Sequence, residues 1–433
     1  MADKKVTYDD LAKQCGLDTA IPLSEFIAMI DDNVQIKKQG IANSDDRVRV
    51  MNLWAISEMG IGKTACLQKY AKDSGVAYSY ICGSNVFQGD LSGIPVVISP
   101  KGDKAPEIAK AMINGYFPHV PQDEKEMNDK SLPYNQVGFL FIDELMNMDP
   151  LVRGELLQYV DGNDKGSGLP NFPAKWFIVA ASNTEETVGD NFTDLAANIR
   201  AKFEQYYVYP DFDDFLNYMQ TYYNKAYNRH GFHSAIMSYL LENKMDLAPH
   251  FDVVENRNIA SPRNWEAMTI ALFAMEDRIA SGYSDIKGLK SRFEKKAVAV
   301  LGKEVGNKFI DHYHFEKDTI EPKDYLEKDL AKDSKWNAFD KKSLQLKLLS
   351  VYRALDLLST NMNSGKKVED KKFKEWLKNF QDNSVWLIKD RAEDFLVGIL
   401  DSMIGRIEQL DDPSLLTKDF QKLTEKSILF NKS

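Results

Sequence analysis

The chain has 433 residues, of which 43% are hydrophobic and 28% are charged. This composition is typical of a folded protein with about two or three domains, and it excludes a disordered chain, a fibrous repeat or a disulfide-stapled miniprotein. The 65 acidic residues outnumber the 55 Lys and Arg residues, which gives a net charge of −10 and argues against a general nucleic-acid coat.

Neither the cysteines nor the apolar runs point to export or to a membrane. Cys15, Cys66 and Cys82 lack the paired spacing of a disulfide framework or a zinc cluster. The amino-terminal residues lack the apolar core of a signal peptide, and no run of about 18 apolar residues occurs. We therefore expect a cytoplasmic protein without membrane insertion.

The predicted elements begin with helix and then change to an α/β pattern. Residues 1–45 are predicted to form a helical segment, because apolar residues recur at helical spacing from Leu23 to Ile30. Over residues 46–210, short apolar runs alternate with loops or helices, which is typical of a mainly parallel sheet. We expect five strands, at 50–56, 76–81, 139–142, 176–181 and 206–208.

Long helical patterns replace the strand signal after residue 210. We expect a helical domain over 211–301 and a further helical region over 302–433. The amphipathic stripe from Leu344 to Leu358 supports helix in the last region.

A glycine-rich turn follows the first predicted strand. In such a turn, successive backbone N–H groups and the positive helix end point at one place, which suits a polyphosphate. Lys63 would then neutralise the β and γ phosphates, and the Thr64 hydroxyl would hold Mg²⁺. The alternative is a tight strand-to-helix turn with a solvated lysine, and the strict motif has glycine where Ser57 stands. The candidate nucleotide-binding residues are Ser57, Glu58, Met59, Gly60, Ile61, Gly62, Lys63, Thr64 and Ala65.

Two later apolar runs end in polar residues. Asp143 and Glu144 follow one of them, at the sheet edge where open α/β folds bind ligands. Asp143 could bind Mg²⁺ there, while Glu144 orients and deprotonates a water. Asn183 ends the next run and could position that water. The alternative is that these residues only meet solvent where the strands end.

These stretches resemble the nucleotide-binding motifs of one family. SEMGIGKT resembles the Walker A motif of AAA+ ATPases, FLFIDE the Walker B motif and AASN the sensor 1 strand. IDELMNMDPLVRGELLQYVDG is similar to the stretch after Walker B in the MoxR-like branch. The resemblance spans residues 45–280 and implies an AAA+ P-loop domain with a helical lid at 211–301. It implies ATP and Mg²⁺ as cofactors.

The same resemblance implies cationic residues that act on the phosphates. LAANIRAKF is similar to the segment that carries a finger for the neighbouring subunit. Lys202 occupies the family's arginine position, and Arg200 lies two residues earlier. Both stay candidates, and we favour Arg200 because a planar guanidinium stabilises phosphoryl charge better than an ammonium does. SPRNW resembles sensor 2, which implies that Arg263 reaches the γ-phosphate from the lid. Alternatively, these are surface cations at helix ends.

The expected function is a ring-forming ATPase, hexameric by resemblance, that remodels or activates a protein client. One alternative is a motor or loader acting on nucleic acid, which the acidic net charge and the lack of a basic binding module disfavour. Another is an ATP-gated scaffold with weak hydrolysis, suggested by Ser57 and Lys202. The retained Lys63, Asp143, Glu144 and Asn183 favour hydrolysis over the scaffold.

Overall fold

The computed structural model describes most of the chain, which divides into two compact units, Met1–Asp211 and Phe212–Ser433. The described residues are 7–43, 48–87, 90, 94–98, 108–112, 118, 132, 135–160, 172–184, 201–248, 260–314, 319–333, 336, 339, 342–363, 370–388, 393–407, 410 and 412–427. Arg200, one of the two candidate fingers, lies outside these residues.

The first unit contains a parallel six-stranded sheet in the order β1-β8-β2-β7-β6-β3, and a separate antiparallel pair formed by β4 and β5. The strands are β1 (Ala20–Pro22), β2 (Asn52–Ser57), β3 (Ala77–Cys82), β4 (Ile94–Ile98), β5 (Ile108–Met112), β6 (Gly138–Asp143), β7 (Trp176–Asn183) and β8 (Phe203–Tyr209).

The described sheet has six strands rather than the predicted five. The additional strand, β1, lies within the residues predicted to form a helical segment. Three residues are too few to show a strand period, so the sequence carried no signal for it. Ile21 pairs with Val208 and is 3% exposed, because β1 extends the sheet at its β8 edge.

The central strands are apolar on both faces of the sheet. Trp54 and Ile56 of β2 pack into one hydrophobic cluster, while Leu53 and Ala55 of the same strand pack into another. Successive residues of a strand point to opposite faces, so continuous apolar runs bury the sheet on both sides. This arrangement leaves the ends of the strands as the places where polar residues gather.

In the described part of the first unit, four helices accompany the sheet. They are α1 (Tyr8–Gln14), α2 (Leu23–Ala42), α3 (Lys63–Ser74) and α4 (Pro150–Val160). Along α2, Phe26, Ile30 and Val34 form a buried stripe at helical spacing, as the sequence predicts for this segment. The buried Lys37 of α2 donates hydrogen bonds to the carbonyls of Val48 and Ala174, at 2.5 and 2.7 Å, which ties the helix to the loops that precede β2 and β7.

The second unit is mainly helical. It has a short ribbon of β9 (Tyr223–Asn224) and β10 (Arg229–His230). Its helices are α5 (Phe212–Thr221), α6 (Ser234–Glu242), α7 (Pro262–Ala280), α8 (Ile286–Leu301), α9 (Lys303–His314), α10 (Pro322–Glu327), α11 (Leu344–Asn363), α12 (Lys371–Ile388), α13 (Glu393–Arg406) and α14 (Lys418–Gln421).

One hydrophobic core runs through the second unit. Trp265 and Phe293, from the predicted lid segment, belong to the same buried cluster as Tyr352 and Phe380 from the predicted C-terminal region. The boundary at 301/302 therefore stays a prediction. No helix in the described part of the chain combines the length and the apolarity that crossing a bilayer requires.

Candidate functional site

The glycine-rich turn joins the carboxyl end of β2 to the start of α3. Gly60 and Gly62 have φ angles of 78° and 98°, which residues with a Cβ adopt only with strain. Gly62 is the N-cap of α3, and its carbonyl accepts the N–H of Cys66 at 2.9 Å. The turn therefore presents its backbone and the helix N-terminus at the carboxyl edge of the sheet, where a phosphate group would gain from both.

Lys63 begins the helix and is only 8% exposed. Its Nζ donates to the hydroxyl of Ser57, which in turn donates to the carbonyl of Glu58 at 2.9 Å. The serine that departs from the strict motif thus partners the lysine at this turn. Ala65 lies exposed in the first turn of α3.

The Glu58 carboxylate fixes the first part of the turn. Its Oε1 accepts hydrogen bonds from the hydroxyls of Thr184, at 3.0 Å, and Tyr207, at 3.4 Å. Burial, and then the nearby Glu58 charge, raise the pKa of Tyr207, so the phenol stays protonated as a donor. In the same turn Ile61 is buried and Met59 is 56% exposed.

Thr64 and Asp143 meet although they are far apart in the sequence. The Thr64 hydroxyl donates to Oδ2 of Asp143 at 2.6 Å, at the end of β6. Hydroxyl and carboxylate oxygens are ligands that Mg²⁺ prefers, and Mg²⁺ commonly takes few protein ligands beside waters and substrate phosphates. No larger metal-binding group of His, Cys, Asp or Glu occurs among the described residues. The pair therefore fits Mg²⁺ held together with a phosphate.

Glu144 has an unusual backbone at the end of β6. Its φ is 54°, which is rare for a residue other than glycine and costs free energy. A Cβ built on Gly83 would lie 2.4 Å from the Glu144 carbonyl oxygen, so only glycine allows this approach. Oε2 of Glu144 lies 3.5 Å from both Cys82 Sγ and Asn147 Nδ2. The backbone therefore sets the position of this carboxylate, and the two side chains add long, weak contacts.

Asn183 is the last residue of β7 and pairs in register with Ser57 at the end of β2. One residue earlier, the Ser182 hydroxyl accepts a hydrogen bond from Trp54 Nε1 at 3.1 Å, which links the two strands. Asn183 thus lies at the same edge as the turn. We call the group Ser57, Lys63, Thr64, Asp143, Glu144 and Asn183 the sheet-edge site.

Lys202 lies at the other end of β2 from the turn, and Arg263 belongs to the second unit. Lys202 precedes β8, and its carbonyl accepts Nδ2 of Asn52 at 3.3 Å, at the first residue of β2. Because β2 rises about 3.3 Å per residue, this end lies about 17 Å from Ser57. Arg263 belongs to the second unit, where it is exposed in the first turn of α7 behind the cap Ser261.

Cys82, Gly83 and Asn147 were missed by sequence reasoning. All three contact Glu144 or its backbone. Cys82 and Gly83 belong to no motif, and Asn147 lies in the stretch after Walker B without having been singled out there. Cys82 follows an apolar run by one residue and reaches this edge because β3 pairs in register with β6, Cys82 opposite Asp143. The sequence offered one signal for Cys82: it directly follows the predicted strand at 76–81, as Asp143 directly follows the predicted strand at 139–142. The carboxyl ends of parallel strands share one edge of a sheet.

Comparisons with known proteins give little further guidance. No protein-family model matches the chain, and no curated protein sequence matches it significantly. Among solved structures, the chain is similar to a crystal structure of the FIGL-1 AAA domain in complex with ADP, with 12% sequence identity and a TM-score of 0.33. The alignment covers 67% of this chain and 87% of that chain. A similarity this weak identifies no family, so the interpretation of the site rests on its own geometry.

Proposed function

We propose that the chain is an AAA+ ATPase of the MoxR-like branch, which couples ATP hydrolysis to the remodelling of a protein client. The observation that carries this proposal is the 2.6 Å hydrogen bond from Thr64 to Asp143. It joins the first residues of α3 to the end of β6, beside a glycine turn with a buried lysine. A merely structural turn has no need for this combination of donors and acceptors.

Each residue of the sheet-edge site then has a separate role. The turn amides and Lys63 bind and neutralise the β and γ phosphates of ATP. Thr64 and Asp143 hold Mg²⁺, which when bound neutralises phosphate charge. The buried Ser57 and the fixed Glu58 keep the turn in one conformation, so little reorganisation is needed on binding.

Glu144 and Asn183 act on the attacking water. Glu144 accepts a proton from the water while the water oxygen forms a bond to the γ-phosphorus. The bond between the γ-phosphorus and the oxygen that bridges to the β-phosphate breaks, which releases ADP and phosphate. Asn183, at the end of the neighbouring strand, orients the water by hydrogen bonding. The strained backbone of Glu144 supports this role, because such strain persists where the surroundings impose a position.

The proposal includes assembly into a ring, expected to be hexameric. Lys202 lies at the opposite end of β2 from the turn, too far away to contact a phosphate bound there. That position supports a role for Lys202 toward the nucleotide of a neighbouring subunit, and Arg200 stays the other proposed finger on the sequence argument alone. Arg263 is proposed to close on the γ-phosphate from the second unit.

The test is steady-state ATP hydrolysis over a range of protein concentrations, with Glu144→Gln beside the parent. We expect the activity per subunit to rise with concentration and to vanish in the variant, while the variant still binds ATP. Equal turnover by the variant would show that Glu144 is not the base. ATP binding without hydrolysis by the parent at any concentration would favour the gated scaffold instead.

The assignment of the finger is tested by mixing variants. Lys202→Ala and Arg200→Ala are each combined with Glu144→Gln subunits, whose own fingers are intact. Only the variant that lacks the true finger should regain activity in the mixture. Its own Glu144 is intact, and a neighbouring Glu144→Gln subunit supplies the missing finger to its nucleotide site. Recovery by neither would contradict the assignment of a finger to this segment.

A further inference from the structure

A polar pocket in the second unit has no role in the proposed nucleotide chemistry. Its volume is about 120 Å³, which is enough for several waters or one small polyatomic ion. The ends of the β9–β10 ribbon, α6, α7, α10 and α11 all contribute to its walls. We call it the arginine pocket, and the residues used below are Arg229, Ser234, Glu276, Arg353, Ser359 and Thr360.

Among the described residues, Arg229 makes long polar contacts in the pocket and lies over the Phe273 ring at 6.0 Å. Its Nη1 lies 3.4 Å from the Thr360 hydroxyl, and its Nη2 lies 3.6 Å from Asp277, whose side chain is 48% exposed. Its Nε is buried and finds no hydrogen-bond acceptor among the described residues. A buried N–H without an acceptor costs free energy, so an acceptor oxygen entering the pocket would be stabilised here.

The two acids of the pocket wall already have partners. Asp356 forms an ion pair with the buried Arg406. Glu276 accepts Nε2 of His233 at 2.9 Å, and Nδ1 of the same ring accepts the N–H of Ala235 at 3.1 Å. The His233 ring therefore links Glu276 of α7 to the first turn of α6.

Glu276 is also under the influence of both pocket arginines. Burial acts to raise the pKa of Glu276, but His233, Arg229 and Arg353 outweigh it and hold that pKa below its ordinary value. Glu276 is therefore a carboxylate at neutral pH and retains acceptor capacity beside two guanidinium groups. The pocket offers the cationic donors of Arg229 and Arg353 together with the Glu276 carboxylate, while the second wall carboxylate, Asp356, is paired with Arg406.

We propose that the arginine pocket binds a phosphate group that carries a proton. Arg229 and Arg353 would donate to its oxygens, as guanidinium groups do to phosphate. Ser234 provides a further hydroxyl on the same wall, whereas the hydroxyls of Ser359 and Thr360 already donate to the Asp356 carbonyl, at 3.1 and 2.7 Å. Glu276 would accept the P–OH proton, a contact that a fully ionised oxyanion cannot make.

The role of Glu276 gives the pocket a selectivity that surface cations lack. Sulfate has the size and shape of phosphate but no proton at neutral pH, so its oxygens would face the carboxylate without a hydrogen bond. A site made of arginines alone would bind both ions. The arginine pocket should therefore prefer phosphate to sulfate, and that preference should depend on Glu276.

The experiment is calorimetric titration of the full chain at neutral pH with inorganic phosphate, and separately with sulfate. We expect millimolar or tighter phosphate binding and weaker sulfate binding. Arg229→Gln should weaken phosphate roughly tenfold, since it removes charge-assisted donors. Glu276→Gln should remove the preference by weakening phosphate and strengthening sulfate. Arg278→Gln, an exposed arginine two residues along α7, is the matched control and should change nothing.

Further variants keep the outcome interpretable. Lys63→Ala should leave phosphate binding to the arginine pocket intact. If the Lys63→Ala variant instead lost phosphate binding, the ion would be bound at the glycine-rich turn. Arg229→Lys, which keeps the charge but not the planar fork, should bind with intermediate affinity if Arg229→Gln proves poorly folded by circular dichroism. Equal affinity for sulfate and phosphate in the parent, or no phosphate binding at millimolar concentration, would overturn the proposal.

A last arm distinguishes free phosphate from a phosphate ester. Phosphoserine is titrated beside inorganic phosphate; its second pKa is about 6, so most of it carries no phosphate proton at neutral pH and it should bind more weakly. Tighter binding of phosphoserine would contradict the role of Glu276. The proposal of a phosphate-binding pocket and the proposal of an ATPase can be refuted separately, because Arg229→Gln leaves the sheet-edge site intact. An inactive chain that still discriminates phosphate from sulfate would retain this inference.

Discussion

The two units place their buried polar residues differently. Among the described residues, the first unit has six and the second has 17. Four of the six, Ser57, Lys63, Ser182 and Thr184, lie at or beside the sheet-edge site. Those of the second unit are spread through its core and mostly tie helices to one another. In the first unit, buried polar side chains therefore mark a candidate site. In the second unit, they mainly hold the packed helices in place.

This contrast predicts that polar substitutions in the first unit change chemistry, while those in the second unit change stability. Each experiment below tests whether a substitution changes activity, as expected in the first unit, or stability, as expected in the second unit. The arginine pocket is the place in the second unit where the contrast should fail, because its polar groups are proposed to serve a ligand.

The largest expected effect is that of Asp143→Asn. The amide still fits against Thr64, so the fold is retained, but the charge proposed to hold Mg²⁺ is lost. We expect kcat/KM for ATP to fall about a thousandfold with Tm unchanged. Hydrolysis assays across Mg²⁺ concentrations and a thermal melt measure both. A large fall in Tm with activity intact per folded molecule would mean that Asp143 is a structural residue.

Asn383→Ala is the corresponding change in the second unit. Asn383 is 2% exposed; its amide donates to the carbonyls of Tyr325 and Lys328, at 2.7 and 2.8 Å, and its oxygen accepts Leu330 N–H at 3.0 Å. Removing it leaves two buried backbone groups and the part-buried Lys328 carbonyl without this partner, so we expect about 4 kcal/mol of destabilisation in urea unfolding.

The matched control is Asn379→Ala, one turn earlier on α12, which donates only to the Leu326 carbonyl at 2.9 Å. It should cost about 1 kcal/mol. ATP hydrolysis per folded molecule should be unchanged in both variants. If both variants lost the same unfolding free energy, the three hydrogen bonds of Asn383 would stabilise the fold no more than the one hydrogen bond of Asn379.

The fold and the sheet-edge site differ in how far sequence reasoning reached. A parallel α/β layer followed by helices is confirmed, because apolar runs are the signature of strands buried on both faces. The turn at Gly60–Gly62, the Asp143 strand end and Asn183 were readable for the same reason, since each directly follows such a run. Their proposed roles await the experiments above.

The features that were missed depend on pairing between distant segments. β1 has three residues, and only its register with β8 makes it a strand. Gly83 matters because β3 pairs with β6, which brings its Cα against the Glu144 carbonyl. The arginine pocket collects residues from 229 to 360 on separate helices, where no local pattern marks them.

The second unit should also be sensitive to acid through His312. This ring is 1% exposed, its Nε2 lies 2.7 Å from the Ser238 hydroxyl, and burial lowers its pKa to about 4. The unfolded imidazole takes up a proton near pH 6.5, so between about pH 6.5 and pH 4 the unfolded chain binds more protons than the folded one. Stability should therefore fall by about 3 kcal/mol as the pH drops through that window.

Urea unfolding at several pH values, followed in the parent and in His312→Gln, measures this term. The variant should lose stability at neutral pH but show a shallower decline between pH 6.5 and 4. His314→Gln is the control, because that imidazole is 55% exposed and pairs with Glu294 on the surface. A parental slope unchanged by His312→Gln would assign the acid sensitivity to other groups.

The smallest expected effect is that of Cys82→Ala. Its thiol lies 3.5 Å from the Glu144 carboxylate, but S–H is a weak donor, and Gly83 together with the left-handed backbone already positions Glu144. We expect kcat to change by about threefold or less, with Tm unchanged. Gly83→Ala should cost far more activity, because a Cβ there collides with the Glu144 backbone. If Cys82→Ala were the more damaging of the two, the side chain rather than the backbone would hold the general base, and the thiol would be a second route by which the sheet edge controls hydrolysis.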